Sequence, residues 1–299
     1  MEIKTFYDTR TGTFTYVVSD PASKDAVVID PVLDYEPVGS KVWTESVDEV
    51  IDYLKSQDLN LHYIMETHAH ADHISGAQTI KEQFPKAQVA IGKNITVIQQ
   101  YFKNMFNLDK TFPTDGSQFD RLFEDKEVFE AGSLQFEVIF TPGHTPACAS
   151  YKIEDAVFMG DAIFMPDSGT GRCDFPAGSV HDLYNSITQR IFTLPDETRL
   201  FMGHDYQPGG REVMNESTVA EQKANNIHIK EGISEEEFTA FRKARDAELA
   251  APKLLFQSIQ LNIDAGELPD AEDSGKAYLK IPVNIFRPEP KGKLELNKV

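Results

Sequence analysis

One short segment constrains the fold more than any other feature of the chain. The apolar run 61–65 predicts a buried β-strand and leads into Thr67-His68-Ala69-His70-Ala71-Asp72-His73. In extended backbone, side chains two residues apart point the same way, so His68 and His70 share a face. Three imidazoles and a carboxylate this close in sequence are suited to binding a metal. The sequence therefore predicts a metal site at the end of a strand.

Three further candidate ligands each follow an apolar strand and a glycine. The segments are Phe140-Thr141-Pro142-Gly143-His144, Val157-Phe158-Met159-Gly160-Asp161 and Leu200-Phe201-Met202-Gly203-His204. Strand ends hold side chains on a rigid scaffold, as a preorganised site requires. His62 and His228 lack this context and are interpreted as structural histidines. We therefore predict one metal site that is built by His68, His70, Asp72, His73, His144, Asp161 and His204.

Apolar periodicity elsewhere predicts an α/β domain. Strands are predicted at 14–18, 26–30, 88–91, 134–140, 156–159 and 199–202. Helices are predicted at 74–84, 95–106, 180–192 and 234–249, with a further helix that begins near Ser46. The polar segment 109–125 predicts a surface loop. Two pairs predict capping boxes at helix starts, namely Ser46 with Glu49 and Ser234 with Glu237.

The composition excludes several classes of protein. A net charge of −19, from 48 acidic and 29 basic residues, repels a phosphate backbone and argues against nucleic-acid binding. Two cysteines are too few for a disulfide framework and favour a reducing compartment. The sequence has no apolar run long enough to span a bilayer, and its first residues resemble no targeting peptide. We expect a cytoplasmic protein without a membrane or nucleic-acid partner.

The order His-x-His-x-Asp-His, His, Asp, His resembles the signature of the metallo-β-lactamase superfamily. The resemblance implies an α/β fold, the αββα sandwich, in which two facing sheets lie between helices and the metal site occupies one edge. We expect a metallo-β-lactamase-like catalytic domain over residues 1–215. A C-terminal helical extension over residues 216–299 is expected to pack on the same domain.

The flanking residues resemble the persulfide dioxygenases, also called sulfur dioxygenases, and most of all their bacterial sulfide-detoxification branch. The similarity is strongest in four blocks, at 66–73, 141–146, 160–176 and 203–206. Within the third block, Gly171-Arg172-Cys173-Asp174 is more characteristic of the dioxygenases than of glyoxalase II, their nearest hydrolytic relatives. The resemblance implies oxidation of glutathione persulfide, or a similar thiol persulfide, with O₂ and water to the thiol and sulfite.

The resemblance also implies which residues hold the metal. One Fe(II) would be bound by His68, His144 and Asp161, a set of two imidazoles and one carboxylate that leaves coordination positions open. His70 and Asp72, together with Arg172, are the catalytic candidates. The remaining ligand-type residues would line the site, orient the ligands or form a second metal site, and these are His70, Asp72, His73 and His204.

Four residues are candidate substrate contacts. Arg172 would support the site through a charge-assisted hydrogen bond, with Asp174 as its candidate partner. Tyr206 matches a position that contacts glutathione in the family, and Arg211 is expected to clamp a carboxylate of the tripeptide. Cys173 lies near the metal in this interpretation, either as a packing residue, which we favour, or in handling sulfur.

Two alternatives stay open. The seven ligand-type residues also fit two zinc ions, as in a glyoxalase II-like thioester hydrolase that attacks a carbonyl with metal-activated water. A metal-binding or persulfide-sensing protein without turnover is the third interpretation, although a purely structural site would close its coordination with fewer residues. The expected partners are a small thiol persulfide and O₂. Because dimers are common among relatives, a homodimer is a further expectation.

Overall fold

The computed structural model describes residues 1–283 of the chain. The strands of this part are β1 (Glu2–Asp8), β2 (Thr13–Ser19), β3 (Asp25–Ile29), β4 (Val32–Glu36), β5 (Lys41–Trp43), β6 (Asn60–Met65), β7 (Ile74–Ser75), β8 (Gln88–Gly92), β9 (Arg121–Phe123), β10 (Val128–Ala131), β11 (Leu134–Phe140), β12 (Ala149–Ile153), β13 (Ala156–Phe158), β14 (Arg199–Phe201) and β15 (Glu216–Thr218). Its helices are α1 (Glu45–Ser56), α2 (Ala77–Gln83), α3 (Ile95–Met105), α4 (Val180–Ser186), α5 (Val219–Asn225), α6 (Glu235–Glu248) and α7 (Leu255–Asn262).

Two six-stranded mixed sheets form the centre of the fold. The first has the order β1-β2-β3-β6-β8-β9 and the second has the order β10-β11-β12-β13-β14-β15. In the first sheet β3, β6, β8 and β9 run parallel, and helices α1, α2 and α3 lie between them in sequence, as crossover connections require. In the second sheet β13 and β14 are parallel, and the other neighbouring strands are antiparallel. A small third sheet has the order β5-β4-β7.

Strands β2 and β3 are buried on both faces, which explains why their sequences are apolar almost throughout. Tyr16 of β2 contacts Phe158 of β13 across the sandwich, with ring centroids 5.0 Å apart. Val17, the next residue, points to the opposite face and shares an apolar cluster with Val50 and Leu54 of α1. The two cores therefore lie on either side of the first sheet.

Helices cover the outer face of each sheet, so the layers follow the order αββα. Residues of α1, α2, α3 and α7 share an apolar cluster with the first sheet, and residues of α4, α5 and α6 share one with the second. This arrangement confirms the α/β sandwich that the sequence predicts. No helix in residues 1–283 is long and apolar enough to cross a membrane.

The segment beyond residue 215 contributes to both halves of the sandwich. Strand β15 pairs with β14 and so extends the second sheet. Helix α6 packs on the second-sheet side through Phe238, whereas α7 packs on the first-sheet side through Ile259. The chain therefore passes from one side of the sandwich to the other between α6 and α7.

The predicted capping box of Ser46 and Glu49 is wrong. Helix α1 begins at Glu45, and the side chain of its N-cap residue Thr44 makes no capping hydrogen bond. The Ser46 hydroxyl instead donates to Oδ1 of Asp34 in β4, at 2.7 Å. A serine hydroxyl can bond either to the nearby helix backbone or to a side chain remote in sequence, and here it bonds to the carboxylate of β4.

Two segments differ from prediction because they pair with strands that are remote in sequence. The predicted helix 74–84 is shorter, since Ile74 and Ser75 form β7, which pairs with β4, and α2 begins only at Ala77. The predicted loop 109–125 contains β9, which forms an edge of the first sheet beside β8. Neither pairing has a local sequence signal.

The other predicted strands and helices are present, and their ends differ from prediction by at most one residue, with one exception. The predicted helix 180–192 divides into α4 and a π-helical turn at Ile187–Ile191. The second predicted capping box is confirmed, because Ser234 and Glu237 bond each other's backbone N–H groups at the start of α6.

A buried tyrosine gives a test of how the two sheets are joined. The Tyr151 hydroxyl in β12 donates to the backbone oxygen of Glu66, at 2.7 Å, just where β6 leads into the histidine-rich segment. We expect Tyr151→Phe to lower the free energy of unfolding by about 1–3 kcal/mol, because a buried carbonyl loses its donor. Urea unfolding of the metal-free protein measures this. Tyr101→Phe, at a side chain that is 42% exposed, is the matched control and should leave the stability unchanged.

Candidate metal centre

The candidate ligands meet because the strands that carry them end at one edge of the sandwich. In the second sheet β11, β13 and β14 run in the same direction, so His144, Asp161 and His204 follow strand ends on one side. In the first sheet β6 delivers His68. A backbone bridge between Thr13 and His204 joins the two sheets at this edge.

The first group of ligands consists of two imidazoles and one carboxylate. The ligand atoms of His68, His144 and Asp161 all lie within 4.8 Å of one another. Nε2 of His144 is 3.5 Å from Oδ2 of Asp161, and the rings of His68 and His144 have centroids 5.1 Å apart. All three residues are buried. The arrangement has the donor atoms of a three-residue metal site.

The second group lies beside the first, and Asp161 of the first group contacts it. The ligand atoms of His70, Asp72, His73 and His204 also lie within 4.8 Å of one another. Nε2 of His204 is 3.2 Å from Oδ2 of Asp72 and 3.3 Å from Oδ1 of Asp161. Asp161 therefore turns one oxygen towards each group.

Polar contacts at Nδ1 orient the rings of His68, His144 and His204 so that Nε2 faces the centre. Nδ1 of His144 donates to the backbone oxygen of Arg172, at 2.8 Å. Nδ1 of His68 lies 3.0 Å from the Thr67 hydroxyl. Such partners fix the tautomer and the ring plane of a metal-binding histidine. A second hydroxyl, that of Thr13, lies 3.2 Å from Nδ1 of His204.

The glycine before Asp161 is required by the same packing. Gly160 has φ of +52°, and a Cβ there would lie 2.6 Å from the Thr67 hydroxyl. A larger residue would therefore displace the side chain that orients His68. At Asp161, the strand–Gly–ligand pattern in the sequence reflects this close approach.

Buried polar atoms without partners show that the site fits a bound cation. Leaving such atoms unsatisfied is costly, and native structures contain few of them. Burial also lowers the pKa of His68 well below its usual value, so its imidazole is neutral and has a free lone pair. Among residues 1–283, the unpartnered atoms include His68 Nε2, His70 Nδ1, Asp72 Oδ2, His73 Nε2, Asp161 Oδ1 and His204 Nε2.

Two buried carboxylates that sequence reasoning did not assign to the site hold His70. Nε2 of His70 is 3.1 Å from Oδ1 of Asp30 and 3.3 Å from Oε2 of Glu66. Burial disfavours the imidazolium form of His70, but these carboxylates outweigh it and hold its pKa well above the usual value. Burial raises the pKa of Glu66 to about 7. Asp30 had a signal in the sequence, because it ends an apolar strand as the other ligands do.

Arg172 lies beside the first group and keeps part of its donor capacity. Nε and Nη2 form a bidentate ion pair with Asp174, both at 2.6 Å, and Nη1 donates to the backbone oxygen of Ala250. The expected partner of Arg172 is therefore present. Each terminal nitrogen retains one N–H without a protein acceptor in residues 1–283.

Arg211 does not have the geometry of the expected carboxylate clamp. Its guanidinium donates to both oxygens of Asp205 and of Asp167, and to the backbone oxygen of Glu212. These contacts use all five N–H groups of an arginine. The Asp205 side chain is fully buried, so it needs this partner. The geometry argues for a structural role of Arg211.

Tyr206 and Cys173 occupy contrasting environments. Tyr206 is 58% exposed, and its ring stacks on His204 with centroids 5.5 Å apart and an interplanar angle of 7°. It is accessible to a ligand at the rim of the centre. Cys173 is buried in the apolar cluster with Leu183 and Ile187, and burial raises the pKa of its thiol. A buried protonated thiol fits the packing role.

The two histidines that are interpreted as structural lie outside both groups. His62 pairs with Asp25 at 2.6 Å on the outer end of β6. His228 accepts a hydrogen bond from the backbone N–H of Thr170, and burial lowers its pKa to about 4.

The chain is similar to proteins with hydrolase and dioxygenase names. It is 47% identical over 287 residues to Glyoxylase B2 of Dictyostelium discoideum, an alignment that covers 96% of this chain and 98% of that protein. It is also 47% identical to a Beta-lactamase hydrolase-like protein of Xylella fastidiosa. That alignment covers 94% of this chain but only 64% of the longer relative. It is 31% identical over 229 residues to the human mitochondrial persulfide dioxygenase ETHE1, with 76% of this chain and 75% of that protein covered.

Among solved structures, ETHE1 from Myxococcus xanthus resembles the chain with a TM-score of 0.71 and 32% identity. The superposition covers 89% of this chain and all of that one. The model of the metallo-beta-lactamase superfamily matches residues 8–204, a span that runs from β1 through all seven clustered ligands. With this match, the αββα layers and the two ligand groups at the sandwich edge, the chain belongs to the metallo-β-lactamase superfamily.

Proposed function

We propose that this protein is an iron-dependent persulfide dioxygenase. The reaction converts a thiol persulfide such as glutathione persulfide, O₂ and water into the thiol, sulfite and two protons. The observation that carries the proposal is the compact group of His68, His144 and Asp161, because two imidazoles and one carboxylate are the ligand set of non-haem Fe(II) oxygenases. The similarity to the human and Myxococcus xanthus proteins supports the choice of reaction.

Iron, when bound by these three residues, supplies open coordination positions and the redox chemistry that O₂ requires. The protein orients the ligands through the backbone oxygen of Arg172 and the Thr67 hydroxyl. It also limits the access of bulk solvent to the centre, since His68, His144 and Asp161 are each at most 7% exposed.

Asp72 is the residue that handles protons in this proposal. Its side chain is 24% exposed, whereas that of Asp161 is 10% exposed. Asp72 therefore reaches both the buried centre and the solvent, and His204 lies 3.2 Å from its Oδ2. The water that is consumed must lose two protons, and Asp72 is placed to pass them outward one at a time. His70 is held by Asp30 and Glu66, and its ring lines the centre in a fixed orientation.

Arg172 and Tyr206 provide the substrate contacts. The two free N–H groups of Arg172 suit an anionic persulfide or a carboxylate of its carrier. Tyr206 presents an exposed ring at the rim, beside Phe164. The protein is strongly acidic overall, so the Arg172 guanidinium provides a local positive charge that favours an anion. The homodimer and the cytoplasmic location stay predictions.

A dinuclear thioester hydrolase is the second candidate. It is favoured by Asp161, whose two oxygens face the two ligand groups as a bridging carboxylate would. The 47% identity to a protein named Glyoxylase B2 supports it as well. The residues that would then hold a second metal ion, rather than only line the site, are His70, Asp72, His73 and His204.

The first experiment measures turnover. We expect the iron-loaded protein to consume O₂ when it is given glutathione persulfide and to release sulfite in equal amount. Oxygen-electrode traces and sulfite assay check this, with the chelator-treated protein as control. Hydrolysis of S-lactoylglutathione without O₂ uptake on persulfide would favour the hydrolase. Bound metal without either activity would favour a sensing protein.

Metal counts on two variants separate one metal from two. Asp161→Ala removes the carboxylate of the first group, and we expect it to lose nearly all iron. His204→Ala should keep about one metal per chain while activity falls about 10–100-fold, which is the usual loss when a residue that orients the metal ligands is removed. Elemental analysis of purified protein gives the counts. His181→Ala, at an imidazole that is 65% exposed, is the control and should change neither. A two-metal wild type that loses one equivalent with His204→Ala would contradict the mononuclear proposal.

Tyr206 and Arg211 should respond differently to truncation. We expect Tyr206→Ala to raise KM for the persulfide several-fold with little change in kcat, the mark of lost uniform binding. Arg211→Ala should leave KM unchanged but lower the unfolding temperature, because Asp205 is then a buried carboxylate without its cation. Steady-state O₂ uptake and thermal unfolding measure the two effects. A raised KM in Arg211→Ala at an unchanged unfolding temperature would support the interpretation that Arg211 binds a substrate carboxylate.

A further inference from the structure

The helices beyond the span of the family match reach back to the loops that carry the metal ligands. Helices α6 and α7 begin after residue 204, where the superfamily match ends. We propose that they are positioning elements of the metal centre and that Asn262 is their principal positioning residue. This inference rests on the proposed function only in requiring that the centre binds metal, whichever reaction it performs.

Asn262, the last residue of α7, bonds the ligand loop at three points. Its Nδ2 donates to the backbone oxygens of His70 and His73, both at 2.8 Å. Its Oδ1 accepts from the backbone N–H of Ser75, also at 2.8 Å. The Asn262 side chain is buried, so these bonds do not compete with solvent. One amide thus fixes both ends of the turn that carries Asp72.

The turn after α7 lies directly against the same loop. Gly266 has φ of +80°, and a Cβ there would lie 2.9 Å from the backbone oxygen of Ser75. Ser75 in turn donates a hydrogen bond to Glu66, the carboxylate that holds His70. The ligand loop is therefore enclosed between β6 and the C-terminal segment. It has little freedom to move while α7 is docked.

Helix α6 holds the second ligand-bearing region. Oδ2 of Asp246 accepts from the backbone N–H of Cys173, and Arg242 donates to the backbone oxygen of Thr170. Arg242 and Asp246 form an ion pair at 2.7 Å, with side chains 2% and 7% exposed. Between these anchor points lies Arg172, whose backbone oxygen orients His144. The position of His144 therefore depends on α6.

A buried ion pair and a buried amide contribute little to the stability of a fold, since apolar residues of similar size often give equal stability. Both are placed where they fix backbone next to metal ligands. The affinity for the metal falls when such hydrogen-bond partners are lost, because the metal-binding side chains must then be ordered when the metal binds. We infer that the C-terminal helices preorganise both ligand groups.

The test separates metal affinity from folding. Asn262→Ala is compared with the wild type by titrating the chelator-treated protein with Zn(II), and with Fe(II) without oxygen. We expect metal Kd to rise about tenfold. At a fixed metal concentration, the difference in unfolding temperature between metal-loaded and metal-free protein should shrink, because this difference reports the binding free energy.

Gln260→Ala is the matched control in the same helix. Its amide bonds to the backbone oxygens of Phe256 and Lys280 rather than to the ligand loop. We expect its metal Kd and its gain in unfolding temperature on metal binding to equal those of the wild type. A Kd shift of the same size in both variants would mean that α7 acts through general packing, and this would overturn the proposal.

The paired replacement Arg242→Met with Asp246→Leu tests α6 without leaving a buried lone charge. It should also raise metal Kd, and it keeps the inference testable if Asn262→Ala does not fold. Wild-type metal Kd in every folded variant would assign the C-terminal helices to packing only. If the Kd shifts appear but no O₂ is consumed, the dioxygenase proposal fails and the positioning role stands.

Discussion

The structure depends on keeping several ionisable side chains together without water. Of the seven clustered residues, six are at most 7% exposed, and Asp72 is partly exposed. Such a concentration of imidazoles and carboxylates is unfavourable unless a cation satisfies the lone pairs that face the centre. The sandwich makes the assembly possible because each strand end brings in only one or a few ligands. The rigid cores behind them then resist the mutual repulsion.

Much of the ligand cluster and of the fold could be predicted from the sequence because the patterns that indicate them are local. The spacing of His68, His70, Asp72 and His73 after an apolar run, and three strand–glycine–ligand units, are short-range patterns. The order of these units then indicated the fold. Strands that are buried on both faces, such as β2 and β3, can also be recognised in the sequence as apolar runs.

What could not be predicted depends on partners remote in sequence. Ser46 is within reach of a local cap but bonds Asp34, and Ile74 leaves a helical pattern because β4 offers a free edge. Arg211 looks like an available cation until Asp167 and Asp205 are seen around it. Asn262 carries no signal at all, since an asparagine at a helix end is ordinary. In each case the deciding contact exists only after the sheets have assembled.

The charges around His70 bear on the number of metal ions. With one dication at His68, His144 and Asp161, the two carboxylates Asp161 and Asp72 balance its charge. Asp30 and Glu66 favour a proton on His70, so a second dication that binds Nδ1 of His70 must first displace that proton. Binding of a second ion is then coupled to proton release and weakens as pH falls. The occupancy of the second ligand group is therefore expected to depend on pH, although Nδ1 of His70 already faces the centre without a protein partner in residues 1–283.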